Sequence, residues 1–487
     1  MTEKRLTRRE AMGAVGGFAL ATALGTPRAL AAGKKPNILY IMTDDHAAHA
    51  LSCYGSRINK TPNLDRIARE GMRFENCFVT NSLCGPSRAT LLTGKYSHAH
   101  GFLRNGNRFD ASQQTFPKLL QAAGYQTAVV GKWHLETDPT GFDYWNVLPG
   151  QGIYHNPVLI EMGQRKTHQG YVTDIITDLS MEFLKKRDKG KPFCLLYHHK
   201  APHRAWQPDP KHAEMFKNQT FPEPETFNDD YGTRSRAARE CEMSVAKHLT
   251  RGDLKQPIPA GLSPEQEKTW RYTRYMQDYL ACVAAVDDSV GRMLDFLGKE
   301  GLADDTIVVY TSDNGFFLGD HGWFDKRFMY EESLRVPFLV RYPGAVKAGA
   351  TSDRMVINPD FAPTFLDFAG LPIPSDVQGR SVRPILEGKP PGDWRTSIYY
   401  HYYEFPGAHM VQRHYGVRTQ QHKLIHFYQI NEWELFDLAK DPHELKNVYA
   451  DPAYAEVVKQ MKAELERLRK ELKVPEDAVQ LPGRVKK

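Results

Sequence analysis

Five short apolar runs recur along the chain and alternate with longer stretches of helical periodicity. Apolar runs bounded by polar residues are typical of strands that are buried on both faces. The runs lie at 37–42, 127–130, 193–197, 306–310 and 338–340, with helical patterns at 63–71, 116–123, 174–186 and 269–301. Strands that alternate with helices predict an α/β fold, in which helices flank a mainly parallel central sheet on both sides.

The composition of the chain changes after about residue 391. Tyr, His and Trp become frequent there, and a charged, periodic helix is predicted over residues 454–472. We therefore predict one large domain over residues 32–392 and a smaller C-terminal α+β subdomain over residues 393–487. Residues 206–268 are rich in Pro, Asp and Glu, and they are predicted to form a long surface insertion.

The first 31 residues have the pattern of an export signal. Thr7-Arg8-Arg9-Glu10 precedes an apolar stretch from Ala11 to Leu24, and Ala29-Leu30-Ala31 offers a small-residue cleavage site. The paired arginines resemble a twin-arginine signal, which predicts the twin-arginine export machinery as a partner and a periplasmic or secreted location. The apolar stretch is too short to span a bilayer comfortably, so we expect no permanent membrane anchor.

Charge and cysteine content argue against several classes of function. The net charge is only +6 over 487 residues and no basic run occurs, so nucleic acid is not an expected partner. Six cysteines without a CxxC pair argue against a disulfide framework and against a cysteine-rich zinc site. Neither a GxSxG elbow nor a GxxxxGK[ST] loop is present, which argues against serine hydrolases and nucleotide hydrolases.

Four of the apolar runs end in a cluster of polar residues. The clusters are Asp44-Asp45, Gly131-Lys132-Trp133-His134, His198-His199 with His203, and Ser312-Asp313-Asn314-Gly315. Open α/β sheets bind ligands outside the carboxyl ends of their strands, so the four clusters are expected to converge. Close carboxylates repel one another unless a cation bridges them, and oxygen ligands suit calcium or magnesium. Asp44, Asp45, Asp313 and Asn314 are therefore predicted to share one metal ion.

Cys84 lies at the start of a predicted helix. Pro86 suits the first turn of a helix, and residues 89–92 would continue it. Cys84 would then lie at the helix N-terminus, where free N–H groups and the helix dipole favour anions. Arg88, four residues further on, can project along the same helix face. This position predicts an activated cysteine or an anion-binding turn.

The segment CGPSRATLLTG at 84–94 resembles the Cys-x-Pro-Ser-Arg signature of type I sulfatases, which belong to the alkaline phosphatase superfamily. The motifs TDD, GKWH, APH, SDNG and LGDHGWFDK occur in the order and at the separations of that family, and NEWELFDLAKDPHELKNVY resembles its closing subdomain. The resemblance implies an alkaline-phosphatase-like fold and one bound calcium ion. It also implies that a formylglycine-generating enzyme converts Cys84 to formylglycine (3-oxoalanine), the family's nucleophile.

The same resemblance implies roles for individual residues. The implied calcium ligands are Asp44, Asp45, Asp313, Asn314 and the formylglycine made from Cys84. Arg88 would steady the formylglycine, Lys132 would contact its diol or the sulfate, and His134 would lie next to the diol. Lys132 and His134 are two residues apart, so an extended backbone would point them the same way. His203 and Lys326 would contact the sulfate and the leaving group, and either would protonate the departing oxygen.

The substrate implied by the resemblance is a sulfated carbohydrate. The blocks at 138–157, 170–184, 198–212 and 401–428 are most similar to bacterial N-acetylglucosamine-6-sulfatases that act on host glycans. The 6-O-sulfate of N-acetylglucosamine in host glycans or glycosaminoglycans is therefore the expected target. Five residues could face the sugar or could instead pack the subdomain: Trp206, Tyr402, Tyr403, His409 and Arg413.

Several alternatives stay open at this point. The chain could be a sulfatase for iduronate 2-sulfate, choline sulfate or aryl sulfates, or a phosphonate or phosphate monoester hydrolase of the same superfamily. A non-enzymatic protein that binds sulfated glycans is a further alternative, and it would release no sulfate. His321 could order the turn at 319–322 or touch the ligand.

Overall fold

The computed structural model describes residues 35–476, so the predicted export signal lies outside the described residues. No helix in this part of the chain is both long enough and apolar enough to cross a membrane. Its strands are β1 (Asn37–Thr43), β2 (Met72–Phe74), β3 (Cys77–Phe78), β4 (Gln126–Lys132), β5 (Tyr144–Leu148), β6 (Val158–Glu161), β7 (Gln164–Thr167), β8 (Phe193–His198), β9 (Thr306–Ser312), β10 (Phe317–Leu318), β11 (Phe324–Asp325), β12 (Phe338–Arg341), β13 (Ala350–Ser352), β14 (Val356–Ile357), β15 (Ser397–Tyr402), β16 (His414–Thr419), β17 (His422–Phe427) and β18 (Glu432–Asp437).

The α-helices flank this framework on both sides. They are α1 (Pro62–Arg69), α2 (Cys84–Thr93), α3 (Ser97–His100), α4 (Phe116–Ala122), α5 (Val172–Lys186), α6 (Arg236–Glu240), α7 (Val245–His248), α8 (Arg251–Leu254), α9 (Pro264–Lys299), α10 (Glu331–Leu334), α11 (Phe361–Phe368), α12 (Arg383–Leu386) and α13 (Ala455–Glu471). The helix α9 begins before the predicted residue 269 because Ser263 caps it. The Ser263 hydroxyl accepts a hydrogen bond from the Gln266 backbone at 3.2 Å, and the Ser263 backbone donates to the Gln266 side chain at 2.9 Å.

The central sheet has ten strands in the order β13-β2-β12-β9-β1-β8-β4-β5-β6-β7. Its five central strands, β9, β1, β8, β4 and β5, are parallel to one another. Four of them contain predicted runs, whereas β5 was not predicted, and the fifth predicted run, at 338–340, forms the antiparallel strand β12. On both sides of these strands the pairing becomes antiparallel, at β9-β12, β12-β2, β5-β6 and β6-β7, and the edge strand β13 pairs with β2 in parallel, so the sheet as a whole is mixed. The predicted α/β class, with an alkaline-phosphatase-like sheet between helices, is confirmed.

Alternate residues of β1 enter two separate hydrophobic cores. Ile38 and Tyr40 pack into the core that contains side chains of α2, α4 and α11, on one face of the sheet. Leu39 and Ile41 pack into the core that contains side chains of α1, α5 and α9, on the other face. Because successive side chains of a strand point to opposite faces, a strand covered by helices on both faces must be apolar throughout.

The segment at 206–268 is only partly a surface insertion. It contains α6, α7 and α8, and its aromatic residues Trp206, Phe216, Phe221 and Phe227 join the core beside α9. Trp206 is fully buried, and its ring centroid lies 4.6 Å from that of Tyr275. The prediction was therefore wrong for these side chains. Isolated aromatic residues among Pro, Asp and Glu give no periodic signal, although each can bury a large apolar area.

The predicted C-terminal α+β subdomain is confirmed. Strands β15, β16, β17 and β18 form a separate antiparallel sheet in that order, and α13 packs on it through Met461, Leu465 and Leu468. Trp323 and Tyr330 of the large domain belong to the same hydrophobic core. The subdomain therefore packs directly against the chain on both sides of β11, while the boundary at residue 392 stays a prediction.

Candidate active site

The four polar clusters lie side by side because of the register of the central strands. Met42 at the end of β1 pairs with His198 at the end of β8, and His198 also pairs with Gly131 of β4. On the other side of β1, Thr43 pairs with Ser312 of β9. The residues that follow these strand ends therefore meet at one edge of the sheet.

A compact group of potential metal ligands lies at this edge. One ligand atom from each of Asp44, Asp45, Cys84 and His203 lies within 4.8 Å of the others. Asp313 joins the group through its Oδ1, which accepts a hydrogen bond from the Asp45 backbone at 3.2 Å. The Asn314 amide lies 3.2 Å from Asp45 Oδ1 and 3.8 Å from Cys84 Sγ. The sequence had predicted the four ligands Asp44, Asp45, Asp313 and Asn314, and the structure brings them together.

This group of residues fits a divalent cation. Asp44 Oδ1 and Asn314 Oδ1 are buried, and neither has a hydrogen-bond partner among residues 35–476. Burial and the charges of Asp44 and Asp313 raise the pKa of Asp45 to about 7, although Lys326 acts in the opposite direction. Buried oxygen atoms without partners and carboxylates that repel one another are the features that a hard cation with oxygen ligands compensates.

Three buried cations surround the carboxylates. Arg88 holds Asp313 Oδ2 with Nε at 2.9 Å and Nη2 at 2.8 Å, and its Nη1 donates to the Lys132 carbonyl at 2.9 Å. Lys132 forms an ion pair with Asp44. Lys326 Nζ lies 2.6 Å from Asp45 Oδ1 and 3.5 Å from Cys84 Sγ. Arg88 therefore contacts Asp313 and the Lys132 backbone, whereas Lys326 lies next to the Cys84 sulfur itself.

Cys84 is the first residue of α2 and is almost completely buried. The Asn105 side chain accepts a hydrogen bond from the next backbone N–H, that of Gly85, at 3.0 Å. Burial raises the pKa of the Cys84 thiol far above its ordinary value, although Lys132 and Lys326 act in the opposite direction. A thiol that keeps its proton is a weak nucleophile, so position at a helix N-terminus does not by itself activate this cysteine.

His134 lies past the end of strand β4 and not in an extended segment. Strand β4 ends at Lys132, and His134 has a φ of 57°, in the left-handed region. The prediction that an extended backbone points Lys132 and His134 the same way was therefore wrong. Burial and the charge of Lys132 lower the pKa of His134 well below its ordinary value, so the ring is neutral. Its Nδ1 is buried and has no hydrogen-bond partner in the described part of the chain.

His203 approaches the carboxylates from the turn that follows β8. Its backbone N–H donates to the Lys200 carbonyl at 3.0 Å, and the Ala201 carbonyl accepts a hydrogen bond from the Asp44 backbone at 3.3 Å. His203 Nε2 lies 3.8 Å from Asp45 Oδ2. Burial lowers the pKa of His203 well below its ordinary value, and Asp44 only partly opposes this effect. The ring is therefore neutral in the substrate-free site.

Gln151 belongs to the site, although motif analysis did not single it out. It lies in the loop that follows β5, and its Oε1 is 2.6 Å from Lys132 Nζ. Its side chain is partly exposed, whereas Lys132 is fully buried. The sequence signal that could have indicated it is weak: the loop follows a parallel strand at the same edge of the sheet, where polar residues tend to face ligands.

Five residues were expected either to face a sugar or to pack the subdomain, and they differ in burial. Trp206, Tyr402, Tyr403 and Arg413 are buried, and Trp206 lies within the core beside α9. His409 alone of the five is partly exposed, and its Nε2 lies 3.2 Å from Asp325 Oδ2. Asp325 immediately precedes Lys326, so His409 lies close to the group of charges around Cys84.

His321 orders the turn before β11. The side chain is fully buried, and its Nδ1 lies 2.9 Å from Asp229 Oδ2. Its backbone N–H donates to the Thr226 hydroxyl at 2.8 Å, and its carbonyl accepts from the Tyr231 hydroxyl at 2.5 Å. These contacts hold the turn that leads through Asp325 to Lys326, which favours the ordering role over direct contact with a ligand.

We expect the pairing of His321 to make stability depend on pH. Burial opposes the charged ring, but Asp229 and Glu332 outweigh this and raise the pKa of His321 from 6.5 to about 9. The stabilisation of the fold by the charged His321 ring is complete below pH 6.5 and is lost as pH rises through 9. Such a shift corresponds to about 3 kcal/mol of unfolding free energy. The unfolding temperature of His321→Gln should lie furthest below that of the unaltered protein at pH 6. The difference should be smaller at pH 9.5.

The exposed His443 provides a matched control, because its side chain is half exposed and lies 3.7 Å from Glu225. His443→Gln should change the unfolding temperature little at any pH, since exposed ion pairs contribute little. A deficit of His321→Gln that stays constant from pH 6 to pH 9.5 would contradict the assigned pairing.

The fold and the site together define a hydrolase of the alkaline-phosphatase-like α/β class. The chain matches the sequence-family profile Sulfatase over residues 36–371. It also matches the profile N-sulphoglucosamine sulphohydrolase, C-terminal, over residues 319–471. The chain therefore belongs to the sulfatase family and is an enzyme of the sulfuric ester hydrolase class.

Two relatives and one solved structure place the chain more closely within the family. It is 51% identical to an N-acetylglucosamine-6-O-sulfatase of Bacteroides thetaiotaomicron, over 90% of this chain and 87% of that protein. It is 32% identical to an N-acetylglucosamine-6-sulfatase of Homo sapiens, over 78% of this chain and 69% of that protein. A protein solved in complex with its substrate D-glucosamine-2-N,6-O-disulfate superposes with a TM-score of 0.90 at 50% identity, covering 92% of this chain and all of its own.

Proposed function

We propose that this sulfatase hydrolyses the 6-O-sulfate of N-acetylglucosamine in host glycans or glycosaminoglycans. The observation that carries the proposal is the superposition, with a TM-score of 0.90, on a protein solved with D-glucosamine-2-N,6-O-disulfate as its substrate. The two named relatives act, by their names, on the same 6-sulfate. In the site itself, a buried cysteine surrounded by three cations supports the binding of one compact anion.

One calcium ion is part of this proposal. Its ligands would be Asp44, Asp45, Asp313, Asn314 and residue 84, which the structure brings together at the edge of the sheet. The unpartnered oxygens of Asp44 and Asn314 support this set. When bound, the ion would stabilise negative charge on the sulfate oxygens as a Lewis acid.

The nucleophile of the proposed reaction is formylglycine at position 84, made from Cys84 by a formylglycine-generating enzyme. As its hydrate, formylglycine would supply one hydroxyl as the nucleophile for sulfur, and the second hydroxyl would lose its proton as sulfate departs, without direct attack by water on sulfur. The unmodified side chain could not take this part, because burial raises the pKa of the Cys84 thiol so that it keeps its proton, and a thiol carries no hydroxyl.

The side chains around position 84 supply charge and proton transfer. Arg88, Lys132 and Lys326 offset the negative charge of the sulfate ester and of the transition state. His134 accepts a proton from the formylglycine hydrate, since its ring is neutral and its Nδ1 has no partner in the described residues.

Protonation of the departing sugar oxygen falls to Lys326 or His203. Burial disfavours the charged form of Lys326, but Asp45 and Cys84 raise its pKa well above the ordinary value, so the ammonium persists in the substrate-free site. His203 is neutral there and would gain its proton only after the anionic substrate has entered. In the substrate-free enzyme Lys326 is therefore the group that holds the proton.

We also propose that the enzyme is exported to the periplasm or secreted by the twin-arginine machinery. The support is the sequence of residues 1–31, which lies outside the described residues. Because twin-arginine export carries folded proteins, Cys84 could be modified and the metal bound before export.

Position-defined sulfated sugars test the proposed specificity. We expect kcat/KM to be highest for N-acetylglucosamine 6-sulfate, because a primary sulfate projects from the ring on a rotatable carbon. Sugars with a sulfate at ring position 2 or 3 enter at another angle and leave polar groups unpaired, at about 1–3 kcal/mol for each group. Small aryl sulfates should be turned over weakly at most, since they lack the remote binding energy of the sugar.

Each alternative function has its own outcome in this panel. Higher kcat/KM for a 2-O-sulfated uronic acid or for choline sulfate would replace the proposed substrate but keep the sulfatase chemistry. Faster hydrolysis of the matched phosphate ester would indicate a phosphate or phosphonate monoester hydrolase. Binding of sulfated sugar without release of sulfate, with residue 84 fully modified, would indicate a glycan-binding protein.

A further inference from the structure

Lys200 is a buried lysine beside the candidate active site, and the mechanism above does not use it. It is only 3% exposed and lies in the turn between β8 and His203. Its Nζ lies 4.8 Å from the centroid of the Tyr154 ring, and the Tyr154 hydroxyl donates to the His203 carbonyl at 2.6 Å. Lys200 is therefore part of the same turn that positions His203.

Lys200 differs from the other buried lysines in having no anionic partner. Residues 35–476 contain four buried lysines: Lys132, Lys200, Lys326 and Lys423. Lys132 pairs with Asp44, Lys326 with Asp45, and Lys423 with Glu444 at 2.6 Å. In the described part of the chain the Lys200 ammonium has neither a carboxylate partner nor a hydrogen-bond acceptor. It lies over the Tyr154 ring in a cation–π contact.

Charges of the candidate active site act on Lys200. Burial lowers the pKa of Lys200 to about 8, with Lys132 acting in the same direction and Asp44 in the opposite one. The charge of Lys200 in turn helps to lower the pKa of His203. An unpaired ammonium is costly to bury, and a fold keeps one where an anion from outside completes the pairing.

We propose that Lys200 is a substrate-binding residue, whose ammonium donates a hydrogen bond to a non-bridging oxygen of the reacting sulfate on the side of Lys132 and His203. The proposal rests on the proposed function, since it takes a sulfate ester as the anion. Lys200 follows the end of β8, at the edge of the sheet where the candidate active site lies, which favours the reacting sulfate over a further sulfate on the sugar. The contact would hold sulfate in the ground state and in the transition state alike.

Lys200→Met tests this, because it removes the charge and keeps the length and apolar character of the side chain. We expect kcat/KM for N-acetylglucosamine 6-sulfate to fall about 10- to 100-fold, the usual effect of one charge-assisted hydrogen bond. Inhibition by inorganic sulfate should weaken by a similar factor. The unfolding temperature should not fall, because Lys200 has no anionic partner within the described chain to lose. Lys60→Met, at an exposed lysine, is the control and should leave all three quantities unchanged.

Four results would overturn the proposal. Unchanged kcat/KM and sulfate inhibition in Lys200→Met would show that the ammonium touches no substrate. A lowered unfolding temperature in both Lys200→Met and Lys200→Gln, with activity lost in proportion to the loss of stability, would show that the role of Lys200 is structural. A loss confined to D-glucosamine-2-N,6-O-disulfate would assign Lys200 to the second sulfate. Equal binding of inorganic sulfate by calorimetry in variant and unaltered protein would also exclude the contact.

The proposed function fails in a different way. In that case the unaltered protein releases no sulfate from any sugar, while its binding of inorganic sulfate still reports on Lys200.

Discussion

Cys84→Ala is expected to abolish turnover while leaving the fold intact. Loss of a covalent nucleophile lowers kcat by up to about 10⁶-fold in a well-studied hydrolase, and we expect a loss of at least about 10³-fold here. The measurement is sulfate release from N-acetylglucosamine 6-sulfate by protein made together with a formylglycine-generating enzyme. Peptide mass analysis of the unaltered protein should show an aldehyde or its hydrate at residue 84.

The structure explains why the loss should be chemical and not structural. Cys84 Sγ is buried and has two polar neighbours, Lys326 Nζ at 3.5 Å and the Asn314 amide at 3.8 Å. Neither of them depends on sulfur for its position, because Lys326 is held by Asp45 and Asn314 by Asp45 and Asp313. Removing one sulfur atom therefore leaves the surrounding charges paired, and the unfolding temperature should change little.

Cys194→Ala provides the matched control. Cys194 is fully buried within β8, so the substitution removes the same atoms from the core of the sheet. It should retain the activity of the unaltered enzyme and should lower stability at least as much as Cys84→Ala does. Activity in Cys84→Ala, or a free Cys84 thiol in fully active enzyme, would contradict the assigned nucleophile.

The convergence of the site residues could be predicted because it depends on the direction of the strands. Asp44, Lys132, His203 and Asp313 each follow a parallel strand, and parallel strands end at one edge of a sheet. Apolar runs ending in polar residues are visible in the sequence without any knowledge of tertiary structure. Four of the five central strands follow from the same pattern, because a strand covered on both faces must be apolar throughout. The fifth, β5, was not predicted.

The antiparallel edges of the sheet could not be predicted in this way. Strand β7 is exposed along its whole length, and it joins the sheet through a two-residue turn at Met162 and Gly163, both with positive φ. A polar strand of four residues has no apolar alternation to detect. Its place in the sheet depends on pairing with β6, which is a tertiary contact.

The contact partners of individual side chains could not be predicted from the sequence either. Lys132 bonds to Gln151 because the loop after β5 folds back over the strand ends, and no motif records that path. His134 turns away from strand geometry one residue after Trp133, at a φ that local propensity does not favour. Lys200 looks like its neighbours in the sequence, and only burial without an anionic partner in the described chain distinguishes it. Each of these features depends on packing between distant segments.

Asp313→Asn is expected to remove both metal binding and most of the activity. Asp313 is fully buried, and its two oxygens contact the Asp45 backbone and the Arg88 guanidinium. The amide keeps the shape of the side chain but withdraws one negative charge from the group that would hold calcium. It also leaves Arg88 without its carboxylate, and an unpaired buried charge costs about 3–5 kcal/mol.

Measuring the calcium content separates the loss of metal binding from the destabilisation caused by the unpaired Arg88. The unaltered protein should contain one calcium ion by elemental analysis, lose turnover by orders of magnitude on chelation, and recover it when calcium is returned. Its unfolding temperature should rise with calcium, since a ligand at 100 times its Kd adds about 2.7 kcal/mol of stability. Asp313→Asn should contain little calcium and should lose the calcium-dependent rise, whatever its unfolding temperature without metal.

Asp287→Asn is the control for loss of a buried carboxylate elsewhere. Asp287 is buried in α9 and accepts hydrogen bonds from the backbone N–H groups of Asn63 and Leu64, at 3.0 Å and 2.8 Å. Its amide variant should be less stable, because it weakens the start of α1, yet it should bind calcium and turn over substrate normally. Full activity in protein shown to be free of metal, or a calcium-dependent rise that survives in Asp313→Asn, would contradict the assigned site. Of the two carboxylates compared, only Asp313 lies among the proposed metal ligands, so only its loss should remove calcium and turnover together.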